Sequence, residues 1–158
     1  MNIPQDTLDI LINFIRTRVS DAKSDGVVLG LSGGLDSAVT LSLAVSALGH
    51  EKVTGLIMPF RETESVKFAK NHADELNVST KIINIVDIVS SYKKSSSLFS
   101  EKLSEGNLHS RIRMSLLYGA GFSSNSLVIG TSNKSELLIG YWTKWGDGGT
   151  DFLPIGDL

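Results

Sequence analysis

Gly30-Leu31-Ser32-Gly33-Gly34-Leu35-Asp36-Ser37 follows Val27-Val28-Leu29, a short apolar run that predicts a buried strand. It precedes Ala38 to Val45, which predicts a helix. A strand, a tight Gly-rich turn and a helix N-terminus together make an anion site. Free backbone N–H groups and the helix dipole both favour phosphate there. A Walker loop would need Gly-Lys-Ser/Thr where Leu35-Asp36-Ser37 fall, and a Rossmann turn would need Gly where Ser32 stands. What remains is a phosphate cradle with a carboxylate beside it. A bare Asp36 would repel phosphate, and a divalent cation such as Mg2+ between the two removes the conflict.

The same letters, Gly30-Leu31-Ser32-Gly33-Gly34, also match Gly-x-Ser-x-Gly, the nucleophile elbow of hydrolases. Context argues against that reading. The elbow's partners follow in the order Ser, Asp/Glu, His, yet His109, the last histidine, lies in a charged helical segment. The first strand of a short chain is also the wrong place for an elbow.

Working outward, a chain of 158 residues with 41% hydrophobic content is long enough for a core of its own. A net charge of −2, with both signs mixed along the chain, points away from nucleic acid and from a basic membrane patch. A cytoplasmic protein with no signal peptide and no membrane span is expected. Absence of cysteine excludes disulfides, thiolate metal sites and a Cys nucleophile.

Residues 4–20 predict an amphipathic helix, with Pro4 in its first turn and Leu8, Leu11, Ile12, Ile15 and Val19 on one face. The helix at 37–48 ends at Gly49, Val53 to Met58 is the second strand, and Thr63 caps a helix over 63–76. Lys81 to Ile85 is the third strand, and 87–105 reads as short helix, loop, short helix. A helix over 107–120 carries Leu108, Ile112, Leu116 and Ala120 on one face. Leu127 to Ile129 is the fourth strand, and Thr131-Ser132-Asn133 leads into a short helix ending near Gly140. Residues 140–158 are Gly- and aromatic-rich without a period.

This order is α/β, a doubly wound Rossmann-like parallel sheet with helices on both faces. Right-handed crossovers predict strand order 3-2-1-4, with the switch point between strands 1 and 4. The loops at Ser32–Asp36 and Thr131–Glu136 would meet there, which brings Asp36 towards Glu136. The two carboxylates could share a Mg2+, which typically takes one or two carboxylates plus phosphate oxygens. On spacing, Asn133-x-x-Glu136 reads equally as a capping box, and Asp36 also suits a helix N-terminus. Arg111 is either an anion clamp or part of a solvated helix face. Lys144, Asp147 and Asp151 lie in a stretch with Trp142, Trp145 and several glycines, which does not read as a plain surface loop. The tryptophans read as packing, and His50, His72 and His109 as surface residues.

Ser32-Gly33-Gly34-x-Asp36-Ser37 resembles the signature of the ATP pyrophosphatases, which cleave ATP to AMP and pyrophosphate. Three more stretches narrow the resemblance: Gly106 to Met114, Gly130 to Leu138, and Thr143-Lys144-Trp145-Gly146-Asp147-Gly148-Gly149 through Leu158. Together they look like the ammonia-dependent NAD synthetases. The resemblance implies that Gly30, Leu31, Ser32, Gly33, Gly34, Leu35, Asp36 and Ser37, with Thr131, bind ATP. It implies Mg2+ on Asp36 and Glu136, deamido-NAD on Arg111, Lys144 and Asp151, and a homodimer with substrate sites at its interface. The implied activity is a ligase of NAD biosynthesis that adenylates the nicotinate carboxylate and then lets ammonia expel AMP. Another amidating pyrophosphatase, of the kind that makes GMP, and a non-catalytic ATP-binding fragment are the alternatives.

The resemblance also implies a longer chain, by roughly half this length again. The extra part would carry a further Lys, a hydroxyl residue for ATP and a His-Lys pair for the dinucleotide. Residues 1–158 are therefore expected to be one synthetase domain, C-terminally incomplete and lacking a fifth strand.

Overall fold

The computed structural model describes residues 6–158. Helix α1 spans Thr7–Asp21, and Pro4, expected in its first turn, lies outside the described residues. Strand β1 is Gly26–Gly30, and its side chains alternate between two cores. Val27 and Leu29 join one cluster and Val28 the other, so both faces are buried. That explains a continuous apolar run in place of an alternating one.

Strands β2 (Val53–Ile57), β3 (Ser79–Ile82) and β4 (Ser126–Val128) are all parallel to their neighbours, in the order β3-β2-β1-β4. The expected order is the observed one. On one face, α1, α2 (Leu35–Leu48) and α3 (Glu64–Glu75) contribute Ile15, Leu41, Ala44 and Ala69 to the core. On the other, α4 (Val86–Ser95) and α5 (Lys102–Ser123) contribute Val89, Leu108, Ile112 and Leu117. Leu29 and Leu56, one per face, are both fully buried, and each burial is worth about 1.5–3 kcal/mol.

Local departures from expectation have local causes. The second short helix expected within 87–105 is the N-terminal part of α5, which runs for 22 residues. Its first turns, Lys102 to Asn107, carry Leu103 as their one large apolar residue and hide the helical period until Leu108. A single 3-10 turn, Ser97–Phe99, separates it from α4. Thr63 stands at the N-cap of α3, but its hydroxyl pairs with Ser65 Oγ at 3.2 Å and caps no backbone N–H. Beyond β3, Ile83 and Ile85 still donate to the carbonyls of Ile57 and Pro59, at 2.9 and 3.0 Å.

Past β4, α6 (Lys134–Ile139) ends at Gly140 in the left-handed region. The chain then returns to the outer edge of β4. Phe152 makes one parallel bridge to Ile129, with Gly130 N–H donating to Phe152 O at 2.9 Å. This is the edge to which a fifth strand would add. Among the described residues no helix is long and apolar enough to cross a membrane.

Candidate functional site

Beyond the C-terminal ends of β1, β2 and β4 opens a cleft of about 600 Å³. Gly30, Leu31 and Ser32 form one wall, and Ile129, Gly130 and Thr131 stand beside them. Met58 to Arg61, after β2, form another wall, and α5 closes the cleft with Ser110, Arg113, Met114 and Leu117. Of the two loops expected at the switch point, Ser32 and Thr131 line this cleft, while Asp36 and Glu136 do not.

The turn is shaped by its glycines. Gly33 has φ +81°, and a Cβ on it would run into the carbonyl of Ser65. Only glycine adopts that conformation this close to α3 without strain. Gly130 packs so tightly on Thr150 and Leu153 that a Cβ would collide with both side chains. Ser37 Oγ donates to Gly34 O at 2.9 Å, which leaves Ser32 Oγ as donor in the 3.1 Å Ser32–Ser37 pair. Ser32 Oγ also accepts from Gly34 N–H at 3.1 Å. Its partners are thus inside its own turn and none is a histidine, so the hydroxyl has no general base and the nucleophile reading has no support.

Gly33, Gly34, Leu35 and Ser37 face a second hollow of about 390 Å³ on the α3 side of the turn, which also includes Leu31. Asp36 is half-buried in the first turn of α2, and its carboxylate has no hydrogen-bond partner among the described residues. Glu136 is half-buried in the first turn of α6 and forms a capping box. Its N–H donates to Asn133 Oδ1 at 3.0 Å, and its Oε2 accepts from Asn133 N–H at 3.3 Å. Among the described residues no three His, Asp or Glu side chains cluster closely enough to hold a metal. A cation at Asp36 and Glu136 would therefore need oxygens from a ligand or water as well.

Arg111 and Lys144 come together, with Arg111 Nε donating to Lys144 O at 3.1 Å. Both are exposed, and neither lines the cleft. Their loop is tied to α5 by further bonds. Thr143 Oγ1 donates to Asn107 Oδ1 at 2.8 Å, and the Ser110 hydroxyl donates to Asp147. Asp147 N–H returns to Ser110 Oγ at 3.0 Å. Trp145 is held at φ +63°, an uncommon conformation for a bulky residue, with its ring exposed and Lys144 Nζ 5.8 Å from the ring centre. Trp145 is therefore not a packing residue. Asp151 sits apart from this loop's clamp. Its Oδ2 accepts from Val128 N–H at 2.7 Å and its Oδ1 from the Tyr118 hydroxyl at 2.9 Å. Burial, then the bond to Asp151 and its charge, push the Tyr118 phenol up to about 12.

Two histidines expected at the surface are partly buried. His72 Nε2 lies 3.2 Å from both Ser42 Oγ and Ala38 O, tying α3 to α2. His109 stacks on Phe60, with ring centres 4.2 Å apart, and its buried Nε2 has no hydrogen-bond partner. Burial first, then Arg113, lower its pKa below the usual histidine value. Arg113, in the cleft lining, and Tyr118, on Asp151, are functional candidates that no sequence motif marks. Ser110, Arg113, Met114 and Leu117 recur at helical spacing and form a second usable face of α5, distinct from the one read for packing.

The NAD synthase family model matches residues 7–158. The NH(3)-dependent NAD(+) synthetase of Archaeoglobus fulgidus is 50% identical over 157 residues, covering 98% of this chain and 63% of the relative. The chain spans about three-fifths of the length of such curated relatives. Among solved structures, the NH3-dependent NAD synthetase of Campylobacter jejuni superposes with a TM-score of 0.96 at 43% identity, covering 100% of this chain and 69% of that one. The NMN synthetase of Francisella tularensis superposes with a TM-score of 0.92 at 34% identity, covering 100% and 66%.

Proposed function

The chain belongs to the NAD synthase family, and from that premise we propose that it is the ATP-binding part of an enzyme that amidates deamido-NAD with ammonia. A carboxylate resists attack by ammonia because its leaving group would be oxide. In the proposed first step a nicotinate carboxylate oxygen attacks the α-phosphorus of ATP and pyrophosphate leaves. In the second, ammonia attacks the acyl carbon, AMP leaves, and the surplus proton passes to solvent. No protein nucleophile is needed, in keeping with a chain that has no cysteine.

The observation that carries this reading is the cleft at the switch point, where Gly30, Leu31 and Ser32 of the phosphate turn share one cavity with Thr131. Gly30 to Ser37 and Thr131 would hold the phosphates, with the backbone N–H groups and the start of α2 taking up negative charge. Asp36 and Glu136 would hold Mg2+, which would offset the charge of the polyphosphate. The donors suit it, since the Asp36 carboxylate is unengaged and Glu136 keeps Oε1 free. Arg111 and Lys144 would take the anionic dinucleotide at the mouth. Asp151 would contact it through the lone pairs that Val128 and Tyr118 leave open.

A homodimer is part of the proposal. It would cover apolar side chains left at the surface of α5 and α6, among them Leu103, Phe122, Leu138 and Ile139. We take residues 1–158 as belonging to one synthetase domain and place it in the cytoplasm. The test is pyrophosphate release that requires ATP, Mg2+ and deamido-NAD together, and orthophosphate release in its place would rule out adenylation. The likeness to an NMN synthetase favours one second reading, amidation that yields NMN. Supplying each acid separately and identifying the amide formed distinguishes the two.

A further inference from the structure

We propose that Arg113 is the cationic wall of the cleft, the guanidinium that grips the polyphosphate chain of the bound nucleotide. Arg113 lies on the face of α5 that lines the cleft, in the same cavity as Gly30, Leu31 and Ser32. Arg111, two residues earlier, points to the Lys144 carbonyl and is exposed.

The Arg113 side chain is held in place before any ligand arrives. Its Nε donates to Met58 O at 3.0 Å, which pins the fork to the exit of β2. The Nη groups have no partner among the described residues. A guanidinium offers five N–H donors in a rigid plane that matches phosphate geometry, so most of its capacity remains free.

Its charge is also free. No carboxylate lies within ion-pair distance of Arg113 among the described residues. Burial disfavours its charged form, yet arginine does not give up its proton in a protein. A half-buried charge without a counter-charge is costly unless something else supplies one. The one carboxylate of the lining, Asp147, forms no ion pair with Arg113 and is turned to the Ser110 hydroxyl and, at 3.1 Å, to Thr143 N–H. Arg61 adds a second positive charge at the rim. The cavity thus has two cations, Arg113 and Arg61, in the same lining as Gly30, Leu31 and Ser32, the part of the phosphate turn that faces it. An extended anion of the polyphosphate class fits cations and turn at once.

Naming the anion as that of ATP rests on the proposed function; the grip itself does not. The test is calorimetric titration of the full chain, wild type and the variants R113M and R113K, with ATP, pyrophosphate and adenosine. Circular dichroism melting confirms that each variant is folded. R113M should bind ATP and pyrophosphate at least tenfold more weakly and adenosine within twofold of wild type, and R113K should recover part of the loss. Unchanged pyrophosphate and ATP binding in R113M would overturn the proposal and leave the ATP site standing. An equal loss for adenosine would overturn it too, because Arg113 would then only hold Met58 and its loop. Wild-type binding of pyrophosphate that depends on Arg113, without binding of ATP, would uphold the grip and refute the nucleotide reading. Wild type binding none of the three would overturn both.

Discussion

The hydroxyl of Tyr118 lies 2.9 Å from Oδ1 of Asp151 and 2.8 Å from the carbonyl of Gly149. A phenol has one hydrogen to give, and both neighbours only accept, so the two share it. Asp151 also takes the Val128 N–H at 2.7 Å. One carboxylate thereby joins α5, the edge of β4 and the end of the Gly-rich loop.

Tyr118→Phe removes the only donor that α5 offers to Asp151. A hydrogen bond to a charged group contributes about 1.5–3 kcal/mol, and partial exposure lowers that here to about 1 kcal/mol. Urea unfolding should show a loss of that order. The phenol, pushed up to about 12, ionises later folded than unfolded. Its contribution is therefore complete below about pH 10 and is lost as pH rises through about 12. The stability gap between wild type and Tyr118→Phe should close across that window, and a gap that widens there would contradict the assignment.

Gly33→Ala should damage the phosphate turn directly. The residue has φ +81°, and the new methyl would meet the Ser65 carbonyl. Left-handed strain costs about 1–2 kcal/mol, and displacement of the turn from α3 adds to it. A lower melting temperature together with weaker ATP binding is expected. Wild-type values for both would show that the turn does not need this conformation.

Legibility in the sequence followed burial and locality. β1 and the Gly-rich turn were readable because Val27 to Leu29 are buried on both faces and Gly33 sits where only glycine fits. The order β3-β2-β1-β4 followed from general rules of parallel connections. Contacts across long separations were not readable. Nothing local to Tyr118 announces Asp151, and nothing local to Arg113 announces the Met58 carbonyl, 55 residues away. His109 reads as a surface residue because Asn107, Ser110 and Arg111 flank it in sequence, while its neighbour in space is Phe60.

His109→Phe should be neutral or stabilising near pH 7. The imidazole Nε2 is buried without a partner, and a phenyl ring keeps the stack on Phe60. Replacing an unsatisfied polar group by an apolar one of similar shape removes a desolvation cost of about 1 kcal/mol. Glu105, 3.8 Å from Nε2, favours protonation, but burial, Arg113 and Lys93 oppose it, and the folded pKa falls below 6.5. The unfolded chain therefore takes up the proton first as pH drops. Wild type should lose stability relative to His109→Phe as pH falls through about 6.5. An NMR titration placing the His109 pKa above 6.5 would refute this.

Glu136 has two possible duties, and they can be separated by substitution. Its Oε2 closes the capping box of α6 on Asn133 N–H at 3.3 Å, while Oε1 is free to face a cation. Glutamine serves a capping box as well as glutamate does but brings no charge. Glu136→Gln should therefore keep the stability of the protein within about 0.5 kcal/mol of wild type. Asn133→Ala, which removes the other half of the box, should cost about 1 kcal/mol. If Glu136 also holds Mg2+, Glu136→Gln and Asp36→Asn should each weaken Mn2+ binding in the presence of ATP by at least tenfold, read from water-proton relaxation. Asn133→Ala should weaken it far less, provided α6 stays folded. Should Glu136→Gln bind Mn2+ as wild type does, the carboxylate is a helix cap alone, and any metal would rest on Asp36 with phosphate and water.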